Sequence, residues 1–168
     1  MALQVNVIST ALVALLIMPL LKETAMKTGR PSQLTLMSSN AHKNVAAKDV
    51  DTAPRESSLK KVNAPEYFQI ERSYKVIKLL TEYVKVGLVD HYSRNANPEV
   101  DVFVNSLCPG YCKTDLGWEF PWYISMPTNL MQLYYGRTAE QGGRSLVSAT
   151  LLGKDGYGKF WSDVVFAE

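Results

Sequence analysis

The chain has 168 residues, enough for one domain with a real core and too few for two. Its 46% apolar and 20% charged residues are ordinary for a soluble globular protein. The net charge of +2, with no basic block interleaved with aromatics, argues against a nucleic-acid surface. The two cysteines, Cys108 and Cys112, match neither a metal knuckle nor a CxxC redox pair, so they read as reduced thiols of a cytosolic fold.

The segment from Val5 to Leu21 is almost continuously apolar. No Lys or Arg precedes it, as a signal peptide requires. Gln4, Asn6, Ser9 and Thr10 shorten the clean stretch below the roughly 18 to 20 residues of a membrane span. Pro19 is expected to interrupt a long helix. A helix apolar on nearly every side suits a core or a subunit interface. The segment is therefore read as a buried helix, with membrane contact as the less favoured alternative.

Lys27 to Ser32, punctuated by Gly29 and Pro31, reads as a turn, and Gln33 to Ser38 as a short strand. Asn40 to Arg72 is polar without a sustained period. It reads as a loop with short helical turns, one of them opened by Asn63 with Glu66 three residues on. Glu71 to Tyr92 is the clearest helix, because Ile77, Leu80, Val84 and Leu88 recur at helical spacing. Gly87 weakens it by about 1 kcal/mol relative to Ala. Asn95 to Pro98 is a break. Val100 to Leu107 is a strand apolar on both faces, as in a covered parallel sheet. Tyr111 to Tyr135 is a long aromatic-rich segment, Thr138 to Leu152 a helix stopped by Gly153, and Lys159 to Ser162 a last short strand.

Strands separated by helices indicate βαβ units and a parallel sheet. Right-handed crossovers then gather functional groups at the carboxyl ends of the strands. Ser38-Ser39, Pro109-Gly110 and the start of the long helix fall there. That helix carries Tyr74-x-x-x-Lys78, two side chains one turn apart on one face. A phenol titrates near pH 10; a neighbouring ammonium lowers that value by charge proximity and makes the hydroxyl a usable proton donor and acceptor. On spacing alone an ordinary surface pair stays open, because nine tyrosines make a chance match with a lysine easy.

Four stretches in order resemble the short-chain dehydrogenase/reductase family over nearly the whole chain. Leu3-Gln-Val-Asn6-Val is similar to the helix that supplies the family's active-site asparagine, and Leu34-Thr-Leu-Met-Ser38-Ser39 to the strand ending in its serine. Tyr74-Lys-Val-Ile-Lys78 matches the YxxxK element, and Asn105-Ser-Leu-Cys-Pro109-Gly110-Tyr-Cys-Lys-Thr114 the N-x-x-x-P-G-x-x-x-T stretch. The long gap between Ser39 and Tyr74, Gly136-Arg-Thr-Ala-Glu-Gln-Gly and Gly158-Lys-Phe-Trp161 resemble the branch of retinol-dehydrogenase-like and fungal secondary-metabolism reductases.

The resemblance implies a single domain over 1–168 with an incomplete Rossmann-type α/β fold: about three strands of a doubly wound parallel sheet with flanking helices. It implies an oxidoreductase interconverting carbonyl and alcohol with NADP or NAD, NADP favoured. Tyr74 is then the general acid/base, and Lys78 supports it and binds the nicotinamide ribose. Ser39, preferred to Ser38, polarises the substrate oxygen; Asn6 holds a relay water. Thr114, with the backbone around Gly110 and Cys112, contacts the carboxamide. No GxxxGxG or GxGxxG is present, so the dinucleotide-binding N-terminal half is expected to be missing and the strand ending at Ser38 to be an uncovered edge. Trp118, Phe120, Trp122, Tyr123, Met126 and Met131 suit an apolar small-molecule substrate, or alternatively core packing. Oligomerisation through the long helices and a cytoplasmic location follow from the same resemblance. A serine hydrolase using Ser39 with His42 or His91 lacks a GxSxG elbow. An inactive chain that binds a full-length reductase is the more serious alternative.

Overall fold

The computed structural model describes residues 2–50, 57–94, 99–113, 122–162 and 165–167. The apolar N-terminal segment opens with a π-helical turn, Gln4–Ile8, that runs straight into helix α1, Ser9–Thr28. Pro19 lies inside α1 and does not end it, contrary to expectation. The proline forfeits one backbone hydrogen bond, but Ala14, Met18 and Ala25 are buried on both sides of it and hold the helix down. Termination waits for Gly29, whose φ of 66° places it in the left-handed region that closes helices. The expected burial is corrected too. One stripe packs on the sheet, while Val5, Ile8, Leu12, Val13, Leu16 and Leu20 stay exposed.

Strand β1, Ser32–Met37, follows, then a 3-10 turn at Asn40–Asn44 and the short helices α2, Ala47–Val50, and α3, Ser58–Asn63. Asn63 closes α3 and does not open a helix. Pro65 holds Ala64 in extended backbone and starts a separate 3-10 turn, Pro65–Tyr67. The long helix α4 spans Ile70–His91, and β2 spans Val102–Cys108. Helix α5, Trp122–Tyr135, precedes α6, Ala139–Thr150. Thr138 caps α6 in a reciprocal box with Gln141. Strands β3, Phe160–Ser162, and β4, Val165–Ala167, complete the described chain.

The sheet order is β1-β2-β3-β4. Strands β1, β2 and β3 are parallel, in register from Ser32↔Val102 to Met37↔Leu107 and from Ser106↔Phe160 to Cys108↔Ser162. The three expected parallel strands are therefore present, with a short antiparallel β4 beside β3 in addition. Both faces of β2 are covered, as its unbroken apolar run requires. Val102 and Val104 pack with Ala14, Met18, Leu36 and Leu88 under α1 and α4. Leu107 faces the other way, against Ala149 of α6 and Trp161 of β3.

Strand β1 ends the sheet. Its Ser32 and the following Ser38 donate their amides to Asp101 and Leu107, at 2.9 and 2.8 Å. Strand alternation then turns the amides and carbonyls of Gln33, Thr35 and Met37 outward, away from β2.

Candidate active site

The crossover from β1 to β2 brings the chemistry together. Helix α4 lies over the sheet, and its first turns approach the carboxyl end of β1. There the Ser38 hydroxyl donates a long 3.4 Å hydrogen bond to the Lys78 carbonyl. Tyr74 and Lys78 sit one turn apart on α4, with Lys78 Nζ 5.7 Å from the centre of the Tyr74 ring. Tyr74 is 44% exposed, so its hydroxyl is open to a ligand. Burial pushes the Lys78 ammonium below its ordinary value, and the neighbouring Cys108 thiol partly opposes that shift. No carboxylate pairs with Lys78 among the described residues.

The two serines after β1 occupy different settings. Ser38 is buried. Ser39 is half-buried with an extended backbone; its hydroxyl accepts from the Ala41 amide at 3.2 Å and caps the 3-10 turn. His42 Nδ1 lies 2.6 Å from the Ser39 carbonyl oxygen, not from its hydroxyl, so the serine-hydrolase pairing is not formed. Asn6 lies in the π-helical turn, which docks on α4 by packing Leu3 and Val7 on Ile77. Such turns recur at functional sites. The Asn6 side chain is exposed and donates to the Ala2 carbonyl of its own helix at 3.1 Å.

The loop leaving β2 is held from below by the start of the α6 segment. Lys113 donates its amide to the Arg137 carbonyl and Arg137 its amide to the Tyr111 carbonyl, each at 2.8 Å. Gly110 has φ 82°, and a Cβ there would come within 3.2 Å of the Arg137 side chain. The Cys112 thiol donates to the Pro109 carbonyl at 3.5 Å, and both cysteines are free. Thr114, with Trp118 and Phe120, lies outside the described residues. Trp122, Tyr123, Met126 and Met131 lie on α5 and are exposed, which removes the core-packing reading for them.

A buried polar cluster beneath the site escaped the sequence reading. Glu82 Oε2 accepts from Ser106 Oγ at 2.8 Å and pairs with Lys85 Nζ at 2.9 Å, both charged side chains being less than a tenth exposed. Burial alone would push the Glu82 carboxyl up. The Ser38 hydroxyl, Lys85 and Ser106 together outweigh it and hold the group below its usual value. Two opposite charges three residues apart, on the face that carries Ile77 and Leu88, were the signal available. Asn105 of the N-x-x-x-P-G stretch holds the fold together, because its amide donates to the Ala149 carbonyl at 2.8 Å and ties β2 to α6.

Tyr74 and Lys78 on the crossover helix, with Ser38 at the end of β1 and Cys108 at the end of β2 beside Lys78, sit at the carboxyl ends of the parallel strands of a Rossmann-like α/β sheet. No protein-family model matches the chain. Over 96% of its length it is 42% identical to the short-chain dehydrogenase/reductase ffsI of Aspergillus flavipes and 38% identical to phmF of Phaeosphaeria nodorum. Over the same share it is 34% identical to a short chain dehydrogenase of Arthrobotrys oligospora. The matches take in 46%, 46% and 48% of those proteins, so the chain spans about half the length of the curated relatives it matches. The similarity is to the C-terminal half of these short-chain dehydrogenase/reductases.

Proposed function

We propose that this chain carries the proton-transfer side of a nicotinamide-dependent interconversion of carbonyl and alcohol on an apolar small molecule, as in fungal secondary metabolism. The observation that carries this reading is the Tyr74–Lys78 pair, with Lys78 half-buried beside the tyrosine ring and without a carboxylate partner among the described residues. An unpaired, partly desolvated ammonium fits the nicotinamide-ribose end of a dinucleotide. The phosphate end has no counterpart, since no glycine-rich turn follows a strand in these 168 residues. The cofactor, NADP in preference to NAD, supplies or accepts the hydride when bound. In the reductive direction the Tyr74 hydroxyl gives its proton to the substrate oxygen. The Lys78 ammonium stabilises the charge left on the tyrosine oxygen.

Ser39 orients the substrate oxygen, and Asn6 holds a relay water once its amide turns from Ala2. Thr114 and the backbone at Gly110 and Cys112 meet the carboxamide. The exposed apolar residues of α5 line the substrate side. We place the protein in the cytoplasm, as an oligomer joined through its long helices. The test is a fusion of residues 1–168 to the N-terminal half of the Aspergillus flavipes relative, assayed by NADPH oxidation against a panel of aryl ketones. Tyr74→Phe should lower turnover by about a hundredfold or more. Near-normal turnover in that variant would refute the assignment. The alternative, an inactive chain that binds a reductase, draws support from the exposed apolar faces of α1 and α5, and predicts a fusion with no turnover at all.

A further inference from the structure

We propose that Glu82 is a positioning residue for the Tyr74–Lys78 pair: its carboxylate fastens α4 to the carboxyl ends of β1 and β2 and so fixes where Tyr74 stands relative to Ser39. This rests on the catalytic reading of Tyr74 given above and adds to it a residue that touches neither substrate nor cofactor.

The carboxylate ties three elements together at one point. Ser106 of β2 donates its hydroxyl to Glu82 Oε2 at 2.8 Å, and Lys85 Nζ lies 2.9 Å from the same oxygen. The hydroxyl of Ser38, the residue that follows β1, also acts on this carboxylate and helps to hold it ionised. Ser38, Glu82, Lys85 and Ser106 are all buried. In such a setting a satisfied polar network is rigid, because water does not compete for its bonds.

The same Ser38 hydroxyl reaches the catalytic turn directly, by donating to the Lys78 carbonyl at 3.4 Å. In an α-helix that carbonyl accepts the amide of the residue four places on, which is Glu82. Ser38 therefore holds one helical turn at both ends, by the backbone at Lys78 and by the side chain at Glu82. Tyr74 stands one turn nearer the helix start, and Ser39 is the next residue after Ser38. A shift of Glu82 over the strand ends is thus passed to both groups that meet the substrate oxygen.

The apolar contacts of α4 specify that placement less sharply. Ile77 packs on Leu3 and Val7, and Leu88 packs in the cluster with Val102 and Val104. Burial of this kind is non-directional. Hydrogen bonds from serines on two neighbouring strands weaken steeply with distance and angle, so they select one position. A buried ion pair adds little stability over an apolar pair of similar volume. Placement is what the carboxylate contributes and two methionines would not.

The test uses the fusion of residues 1–168 to the N-terminal half of the Aspergillus flavipes relative, with tyrosines carrying carbon-13 at Cζ. The Tyr74 signal is assigned by its loss in Tyr74→Phe. Glu82→Met combined with Lys85→Met removes the tie without stranding a charge, and the unfolding midpoint checks that the fold survives. In that variant kcat should fall by about tenfold to a hundredfold, since a displacement of about 1 Å at reacting groups suffices for this. KM for NADPH should stay within about threefold, and the Tyr74 signal should move. Glu82→Gln combined with Lys85→Met restores the tie, because the glutamine oxygen accepts from Ser106 and its amide donates to Ser38. It should return both kcat and the Tyr74 signal to near their wild-type values. In a Tyr74→Phe background the two methionines should lower turnover hardly further, because groups that act through one another are not additive. Ser106→Ala is a milder cut that should show the same loss in kcat alone, and it covers a methionine variant that does not fold.

Wild-type kcat and an unmoved Tyr74 signal in a folded methionine variant would overturn the proposal. So would a kcat loss that Glu82→Gln with Lys85→Met does not reverse, because packing and not the tie would then be its cause. A change confined to KM overturns it equally. Near-normal turnover in Tyr74→Phe sinks the catalytic reading alone. The Tyr74 signal then still decides whether Glu82 sets the surroundings of the tyrosine, as it does in a fusion without turnover.

Discussion

Glu82→Ala removes a carboxylate that the fold has committed to Ser38, Lys85 and Ser106. Lys85 Nζ, 2.9 Å away on a side chain 8% exposed, is left as a buried ammonium with its counter-ion gone. Ser106, fully buried, loses the acceptor of its 2.8 Å hydrogen bond. Breaking one side of a buried ion pair costs about 3–5 kcal/mol. Against a total stability of about 5–15 kcal/mol for a domain, that is a large fraction. Replacing both charges with Met should instead be nearly neutral, because the pair's own desolvation cost disappears with it. Urea denaturation of the wild type, the two single variants and the double variant gives the coupling energy directly. A Glu82→Ala cost below about 1 kcal/mol would refute the argument, because it would mean water reaches Lys85. The pair also sets an acid limit. The Glu82 carboxyl is held below its ordinary value, so its contribution is fully present above about pH 4.3 and is lost as pH falls through the lowered folded value. Glu82→Gln should flatten that acid slope.

Thr35→Val should raise stability by about 1 kcal/mol in urea denaturation, since the buried Thr35 hydroxyl has no hydrogen-bond partner among the described residues. Gly142→Ala drives a methyl group into Cys112 Sγ and should cost about 1–3 kcal/mol; a smaller loss would show that Cys112 swings aside freely. Lys78→Met should abolish turnover in the fused protein yet raise the unfolding midpoint of the chain near neutral pH. Burial lowers the Lys78 value, so its charged form opposes folding below the unfolded value near 10.4, and stability gains as pH rises through the lowered folded value toward it.

Periodicity located β1, β2 and α4 within a residue or two, because each carries its burial pattern in its own side chains. Val102 and Val104 face one layer and Leu107 the other, and that two-sided apolar run is visible in any reading of the strand. The surroundings of α1 were not visible in this way. Its apolar residues say that they prefer cover, but only the fold shows that Ala14 and Met18 receive it and Leu16 and Leu20 do not. Asn63 has the chemistry of a helix opener, but Pro65 two residues later decides the backbone. The Tyr74–Lys78 pair was legible because both residues share one helix. The Glu82–Ser106 contact joins α4 to β2 across a crossover, and no local spacing encodes it.

The backbone bonds between Tyr111–Lys113 and Arg137 make residues 114–136 a closed excursion whose entry and exit meet at one point of the scaffold. Whatever this segment contacts, its ends are clamped by backbone groups that lie outside α5. An insertion, deletion or wholesale exchange inside it leaves the anchoring bonds, and with them β2 and α6, where they are. The stretch between Lys113 and Arg137 is thus tethered as a unit at one point of the scaffold, between β2 and α6.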